Sequence, residues 1–297
     1  MTPGLQRVMA TLRQSRPQAL LGGLLTYGLG AAIARYQGNP IDLRLYLLGQ
    51  ATITALQAMS HFQEEASRET GSQPGDGATA GSKGTSPQRA LHGAVACLAL
   101  AAVFACLLLL QGGRSAASWL LLVLVAVLSF FQSASPIRLS TSGYGEVIQS
   151  ITIAGLVPAF AAALQGGGVT QFLVLTTAPV AALHFAMQMA VSLPEYEADS
   201  RSGRQTLIVR LGWRTGMRLH DAAIVLAIAA MILAGLAVLP DRAAWGTAIA
   251  LPMALAEMWQ LQRIRSGHRP NWPTLKLNAY AMTWLTAYLL LVGLLQV

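Results

Sequence analysis

Nine stretches of predominantly apolar residues punctuate this 297-residue chain, near 18–36, 42–62, 90–111, 115–133, 145–165, 170–192, 219–239, 243–262 and 276–296. Each is close to the roughly 20 residues that a helix needs to cross about 30 Å of hydrocarbon. Lipid offers no partner for backbone polar groups, so a spanning segment must be a helix or part of a closed barrel. These stretches are too long and too uniformly apolar for barrel strands. With 54% hydrophobic and only 11% charged residues, a soluble domain of this size is excluded. The expectation is an all-α membrane protein, a bundle of nine transmembrane helices forming a single domain over 1–297. The first stretch lacks a signal-peptide cleavage pattern, so it is expected to persist in the mature protein.

Charge sets the orientation. Of the 20 arginines and lysines, only Arg35, Arg44, Arg114 and Arg242 fall on one side of the bundle, and the other sixteen gather on the side of the N-terminus. Positive charge resists translocation, which places the N-terminus and the acidic loops in the cytoplasm, most simply at the cell (inner) membrane. The net charge of +8 then reflects topology and anionic headgroups, with no call for nucleic acid. Cys97 and Cys106 share one stretch, about 13 Å apart along a helix axis, and cannot pair with each other. The five histidines have no zinc-ligand spacing and no serine sits in a nucleophile elbow, which removes zinc-enzyme and hydrolase readings.

Two acidic segments stand out at the ends of apolar stretches: SHFQEEASRETG (60–71) and LPEYEADSRSGRQTLIVRLG (193–212). Helical periodicity puts His184, Gln188 and Glu195 on nearly one face, and Gln57, His61 and Glu64 or Glu65 on another. Polar side chains facing lipid are costly, so both stripes are expected to line an interior cavity with an acidic mouth. Interhelical hydrogen bonding alone would also account for Gln57, His61, His184 and Gln188. If the helix continues, Glu195 and Asp199 lie about 6 Å apart on one face, which suits hard-oxygen coordination of Mg2+. The plainer alternative is a solvated helix end with internal ion pairs.

EYEADSRSGRQTLIVRLG (195–212) resembles the second aspartate-rich motif of the UbiA-type intramembrane prenyltransferases, with Glu195 in place of the first aspartate, Asp199 as the second and Arg204 for the usual lysine. SPIRLSTSGYGEV (135–147) is similar to a stretch of the menaquinone-pathway branch, which prenylates dihydroxynaphthoate. The first motif departs from the family form, because QAMSHFQEEASRETG holds no asparagine or aspartate. One register aligns His61, Glu65 and Glu69 with the asparagine and the later aspartates. The other aligns Glu64 and Glu65 with the asparagine-aspartate pair and drops Arg68 onto a ligand position.

The resemblance implies transfer of a prenyl chain from an isoprenoid diphosphate to an aromatic, quinone-precursor acceptor, dependent on Mg2+. It implies Glu65, Glu69, Glu195 and Asp199 as metal-holding catalytic residues. His61, Glu64, Arg68, Lys83, Arg138, Tyr144, Gln188, Tyr196 and Arg204 would contact substrate, with Lys83, Arg138 and Arg204 neutralising the leaving group and the two tyrosine rings facing a developing allylic cation. The implied partners are the isoprenoid diphosphate, the acceptor and the bilayer. A competing reading is a non-catalytic relative that binds an isoprenoid or quinone after losing the first metal motif. A transporter fits less well, because the acids gather at one membrane face and not at mid-bilayer.

Overall fold

The structure is a computed structural model that describes residues 17–70, 86–111 and 115–296. Among these residues every regular element is helical. The chain runs through α1 (Pro17–Tyr36), α2 (Leu43–Thr70), α3 (Pro87–Leu110), α4 (Ala116–Phe131) and α5 (Gly145–Ile151), then a π turn (Thr152–Leu156) and α6 (Val157–Leu164). α7 (Gln171–Ser192), a 3-10 turn (Leu193–Glu195) and α8 (Tyr196–Arg201) follow as one helical run. After the short α9 (Leu207–Leu211) come α10 (Trp213–Ala237), α11 (Asp241–Thr247), α12 (Leu251–Arg265) and α13 (Trp272–Leu295).

Side chains mark several helix starts. Asp42 Oδ1 accepts from the N–H groups of Arg44 (2.9 Å) and Leu45 (3.3 Å) ahead of α2, and Thr170 Oγ1 accepts from Leu173 N–H (3.2 Å) at α7. Both satisfy donors that the first helical turn leaves unpaired. Prolines mark the irregular turns. Pro158 cannot donate to the Ala154 carbonyl, and the wide π turn sits directly ahead of it. Pro194 likewise has no N–H, and the run tightens there into 3-10 geometry. The helical run on which the spacing of Glu195 and Asp199 is conditional does continue, as a 3-10 turn ending at Glu195 followed by α8.

Five helical segments are long and apolar enough to cross a membrane: Pro87–Leu110, Gly145–Leu164, Gln171–Arg201, Trp213–Ala237 and Trp272–Leu295. Ala116–Phe131 is a shorter apolar helix. Hydropathy and burial are inverted between them. The most apolar window, in α3, is only 17% buried, whereas that of Gly145–Leu164 is 67% buried. The apolar exterior of α3 is what lipid solvates, and the interior is built from small side chains that let backbones approach. Every residue of α6 is buried, including Ala159, Ala161, Ala162 and Ala163. α1 lies directly on it: a Cβ on Gly30 would fall 2.1 Å from the Pro158 carbonyl oxygen.

Polar ties hold the two ends. At one end Gln165 Oε1 accepts from Asp42 N–H (2.8 Å) and Gln37 Nε2 donates to Thr170 Oγ1 (2.8 Å). Toward the other, α10 and α12 are joined by the fully buried pair His220 Nε2 and Glu257 Oε1 (3.1 Å), with Asp221 bridging His220 Nδ1 (3.1 Å) to Arg265. This network gives the buried Glu257 carboxylate a hydrogen bond through Oε1 and joins it by way of His220 and Asp221 to Arg265.

Candidate active site

Between the C-terminal half of α2 and the α7–α8 run lies a cavity of about 130 Å³. α2 contributes Gln57, His61 and Glu64 to its wall, and the opposite run contributes His184, Gln188, Glu195 and Asp199. The two polar stripes therefore share one cavity. α5 closes a third side with Gly145, Glu146 and Gln149, and α13 adds Tyr280 and Trp284. Apolar lining comes from Leu128, Ile153, Met187 and Val191.

The turn after α8 places the central cation. Gly203, at φ +75°, occupies the left-handed region that glycine tolerates, and Arg204 N–H returns to the Asp199 carbonyl (3.0 Å). The guanidinium then reaches Asp199 Oδ1 at 3.7 Å and Glu64 Oε1 at 3.6 Å. One arginine thus joins acidic segments 135 residues apart in sequence. Glu195 faces Lys276 Nζ of α13 at 3.8 Å.

Glu146 stands at the start of α5, 8% exposed. Its Oε1 accepts from Leu207 N–H (3.2 Å), while Oε2 is buried with no partner among the described residues. Both amide atoms of the buried Gln57 are also unpartnered among them. Buried polar groups are normally satisfied, so these atoms point to hydrogen bonds completed by a ligand or water. Below them, the Ser150 hydroxyl donates to Glu146 O (2.7 Å) and so must accept from His184 Nδ1–H (2.9 Å). A neutral His184 consequently offers Nε2 as an acceptor. Its ring packs against Trp284, with centroids 5.4 Å apart.

A clasp beside the cavity joins the 139–144 loop to α9. Arg210 Nη1 donates to Ser142 O (2.8 Å), and its guanidinium lies 5.2 Å from the centre of the Tyr144 ring. Gly143, at φ +79°, leaves room for Arg210: a Cβ there would lie 2.1 Å from Cδ.

The residues singled out from sequence divide accordingly. His61, Glu64, Gln188, Glu195, Asp199 and Arg204 line the cavity. Glu65 is partly buried on α2 and is not among the lining residues. Arg138 is exposed at a positive φ of 43°, Tyr144 is exposed under Arg210, and Tyr196 packs against the apolar core. The side chains of Arg68 and Glu69, and all of Lys83, lie outside the described residues. Sequence reasoning passed over Glu146 and Lys276. Glu146 was visible at the end of the glycine-rich SPIRLSTSGYGE stretch, whereas nothing in the local sequence marks Lys276 as a partner of Glu195.

The donor set is one of hard carboxylate oxygens, suited to a small divalent cation in preference to a soft metal. Among the described residues, however, no three Asp, Glu, His or Cys side chains converge closely enough to hold a metal ion. Glu64 and Asp199 supply oxygens from both acidic segments, and their charges currently meet Arg204.

A search among curated proteins finds no match. Among solved structures, the chain is similar to a UbiA homolog from Archaeoglobus fulgidus bound to GPP and Mg2+, at 17% identity and a TM-score of 0.71 over 97% of this chain and 100% of that one. The same homolog bound to DMAPP and Mg2+ gives 18% identity and a TM-score of 0.67, covering 97% and 99%. A structure of digeranylgeranylglyceryl phosphate synthase gives 14% and 0.66, covering 98% and 100%. These likenesses establish a shared fold. The UbiA prenyltransferase family model matches residues 80–284, more than two thirds of the sequence, and the chain belongs to that family.

Proposed function

We propose that this chain transfers a prenyl group from an isoprenoid diphosphate to an aromatic acceptor inside the membrane, in a Mg2+-dependent reaction. The observation that carries the reading is the single cavity shared by both polar stripes, with Glu64 and Asp199 on either side of Arg204. The ligands GPP, DMAPP and Mg2+ in structures of similar fold support it. Glu64 and Asp199 would hold the metal from the two acidic segments, with Glu195, Glu65 and Glu69 as further candidates. Bound Mg2+ would neutralise charge on the diphosphate as the allylic C–O bond breaks.

The chain's own groups do the rest. Arg204 supplies a planar fork suited to phosphate oxygens, and Lys276 adds a second cation beside Glu195. Arg68, Lys83 and Arg138 are more distant candidates for the same role. His61 and Gln188, on the cavity wall, are better placed to contact substrate than Tyr144 or Tyr196. Leu128, Ile153, Met187 and Val191 offer an apolar surface to the hydrocarbon and exclude water from the cation. The menaquinone-like segment contributes Ser140, Gly145 and Glu146 to the cavity, which supports a quinone-precursor acceptor.

The reading includes one domain over 1–297, nine membrane crossings and acidic ends in the cytoplasm at the inner membrane. α1, α2 and the 241–265 run supply helices beyond the five most apolar segments and α4. A non-catalytic binder is the second reading, favoured by the lack of a three-ligand cluster among the described residues. Purified protein given Mg2+, a series of prenyl diphosphates and dihydroxynaphthoate or hydroxybenzoate separates the two. Release of diphosphate with a prenylated product, abolished by EDTA, is expected. Tight isoprenoid binding without diphosphate release with any acceptor would instead select the binder.

A further inference from the structure

Arg204 is in contact with both acidic segments, and its surroundings are partly dry. Its side chain is 19% exposed, that of Glu64 18% and that of Asp199 9%. Two carboxylates this desolvated, each within 3.7 Å of one guanidinium, would repel each other without a cation beside them, and the guanidinium is such a cation. A divalent metal binding the same two oxygens would need the space and the charge complementarity that Arg204 now uses. The cavity, at about 130 Å³, is also small beside the roughly 300–1,000 Å³ of ordinary ligand pockets, so a prenyl diphosphate must displace side chains to enter. Arg204 is free to be one of them: it follows Gly203 on the non-helical segment between α8 and α9, so its side chain can turn without moving a helix.

We propose that Arg204 is an exchangeable counter-ion: it competes with the divalent metal for Glu64 and Asp199, and leaves them for the diphosphate when metal and substrate load together. The inference rests on the transferase reading above and adds to it an order of events. Metal alone must displace the guanidinium and binds weakly. Metal with diphosphate gives the guanidinium a better acceptor, since phosphate oxygens match its fork bidentately, and every charge stays paired throughout. Metal and diphosphate therefore bind with positive coupling that passes through one side chain. Such coupling protects a water-excluding site from holding a bare dication.

The test uses Mn2+ alone as the metal probe, read by electron paramagnetic resonance on the detergent-purified full chain, and inorganic pyrophosphate with saturating Mg2+, read by calorimetry. Arg204→Gln is expected to bind Mn2+ alone about fivefold more tightly, the equivalent of removing one competing ion pair, and to bind pyrophosphate at least about tenfold more weakly. Arg204→Lys keeps the charge but cannot fork across both carboxylates, so it too is expected to bind Mn2+ more tightly than the parent. If Arg204→Gln does not purify as a folded protein, Arg204→Lys carries the test. Arg201→Gln removes an equal charge from an exposed pair with Glu197 and is expected to leave both affinities unchanged. Mn2+ binding no tighter in Arg204→Gln, or equal to the parent in Arg204→Lys, overturns the exchange and leaves the transferase reading intact. A parent chain that binds neither Mn2+ nor pyrophosphate removes that reading and the exchange with it.

Discussion

Glu64 and Glu65 adjoin in sequence, but one helical step separates their surroundings. Glu64 faces the cavity and Arg204, whereas Glu65 is absent from the wall. We expect Glu64→Gln to lower transfer at least about 100-fold, the scale of losing one electrostatic stabiliser, and Glu65→Gln to lower it less. Diphosphate release by each purified variant checks the ranking, and the reverse order would restore the register that runs through His61, Glu65 and Glu69. Asp199→Asn is expected to match Glu64→Gln in activity while still yielding a folded protein in the membrane. Gln57 calls for the opposite trade. Its two amide atoms are buried without partners among the described residues, so Gln57→Leu should raise the melting temperature while weakening activity. A lower melting temperature would mean that the amide is satisfied in the protein. The polar stripes were legible because a helix repeats every 3.6 residues, which fixes who shares a face from spacing alone. Arg204 meeting Glu64, or Lys276 meeting Glu195, was not legible, because such pairs depend on how distant helices dock.

At the scale of elements, prolines and glycines decide how close helices come and where they change pitch. Pro194 was readable as a break within LPEYEADS, yet the chain resumes a helix within two residues and still turns both Glu195 and Asp199 to the cavity. The π turn at Thr152–Leu156 is harder to read, since its sequence TIAGL is as compatible with an α-helix, but it brings Thr152 and Ile153 to the wall. The same run holds a close backbone contact with α1. Gly30→Ala would put a methyl group 2.1 Å from the Pro158 carbonyl oxygen, backbone that cannot rotate away. The helices must part, at a cost of about 1–3 kcal/mol by the measure of overpacked cores. A melting temperature unchanged from the parent would show that α1 and α6 slide freely. Gly28→Ala meets the movable end of the Leu291 side chain at 2.7 Å and the Tyr46 hydroxyl at 3.5 Å, and is expected to be milder.

At the scale of the whole molecule, apolar surface turned outward and small residues turned inward make the bundle a lipid-solvated object, and the asymmetry of charge in the sequence predicts how it is oriented. On the proposed nine-crossing topology, sixteen of the 20 arginines and lysines in the sequence would fall on the side of the acidic segments, among them Arg201, Arg204 and Arg210. Translocating that side would carry the positive charges across the membrane, whereas the opposite side has four to move. The proposed diphosphate substrate, being highly charged, would also reach the cavity only from the side on which it is made. Both arguments predict Ser202 in the cytoplasm and Pro40, in the connection ahead of α2, outside it. Both positions are exposed, so each can carry a reporter. In a chain with Cys97 and Cys106 replaced by alanine, Pro40→Cys should react with an impermeant maleimide added to intact cells. Ser202→Cys should react only after the membrane is permeabilised. The reverse pattern would invert the bundle, and labelling of both positions in intact cells would break the nine-crossing count, since that count puts five crossings, an odd number, between the two sites.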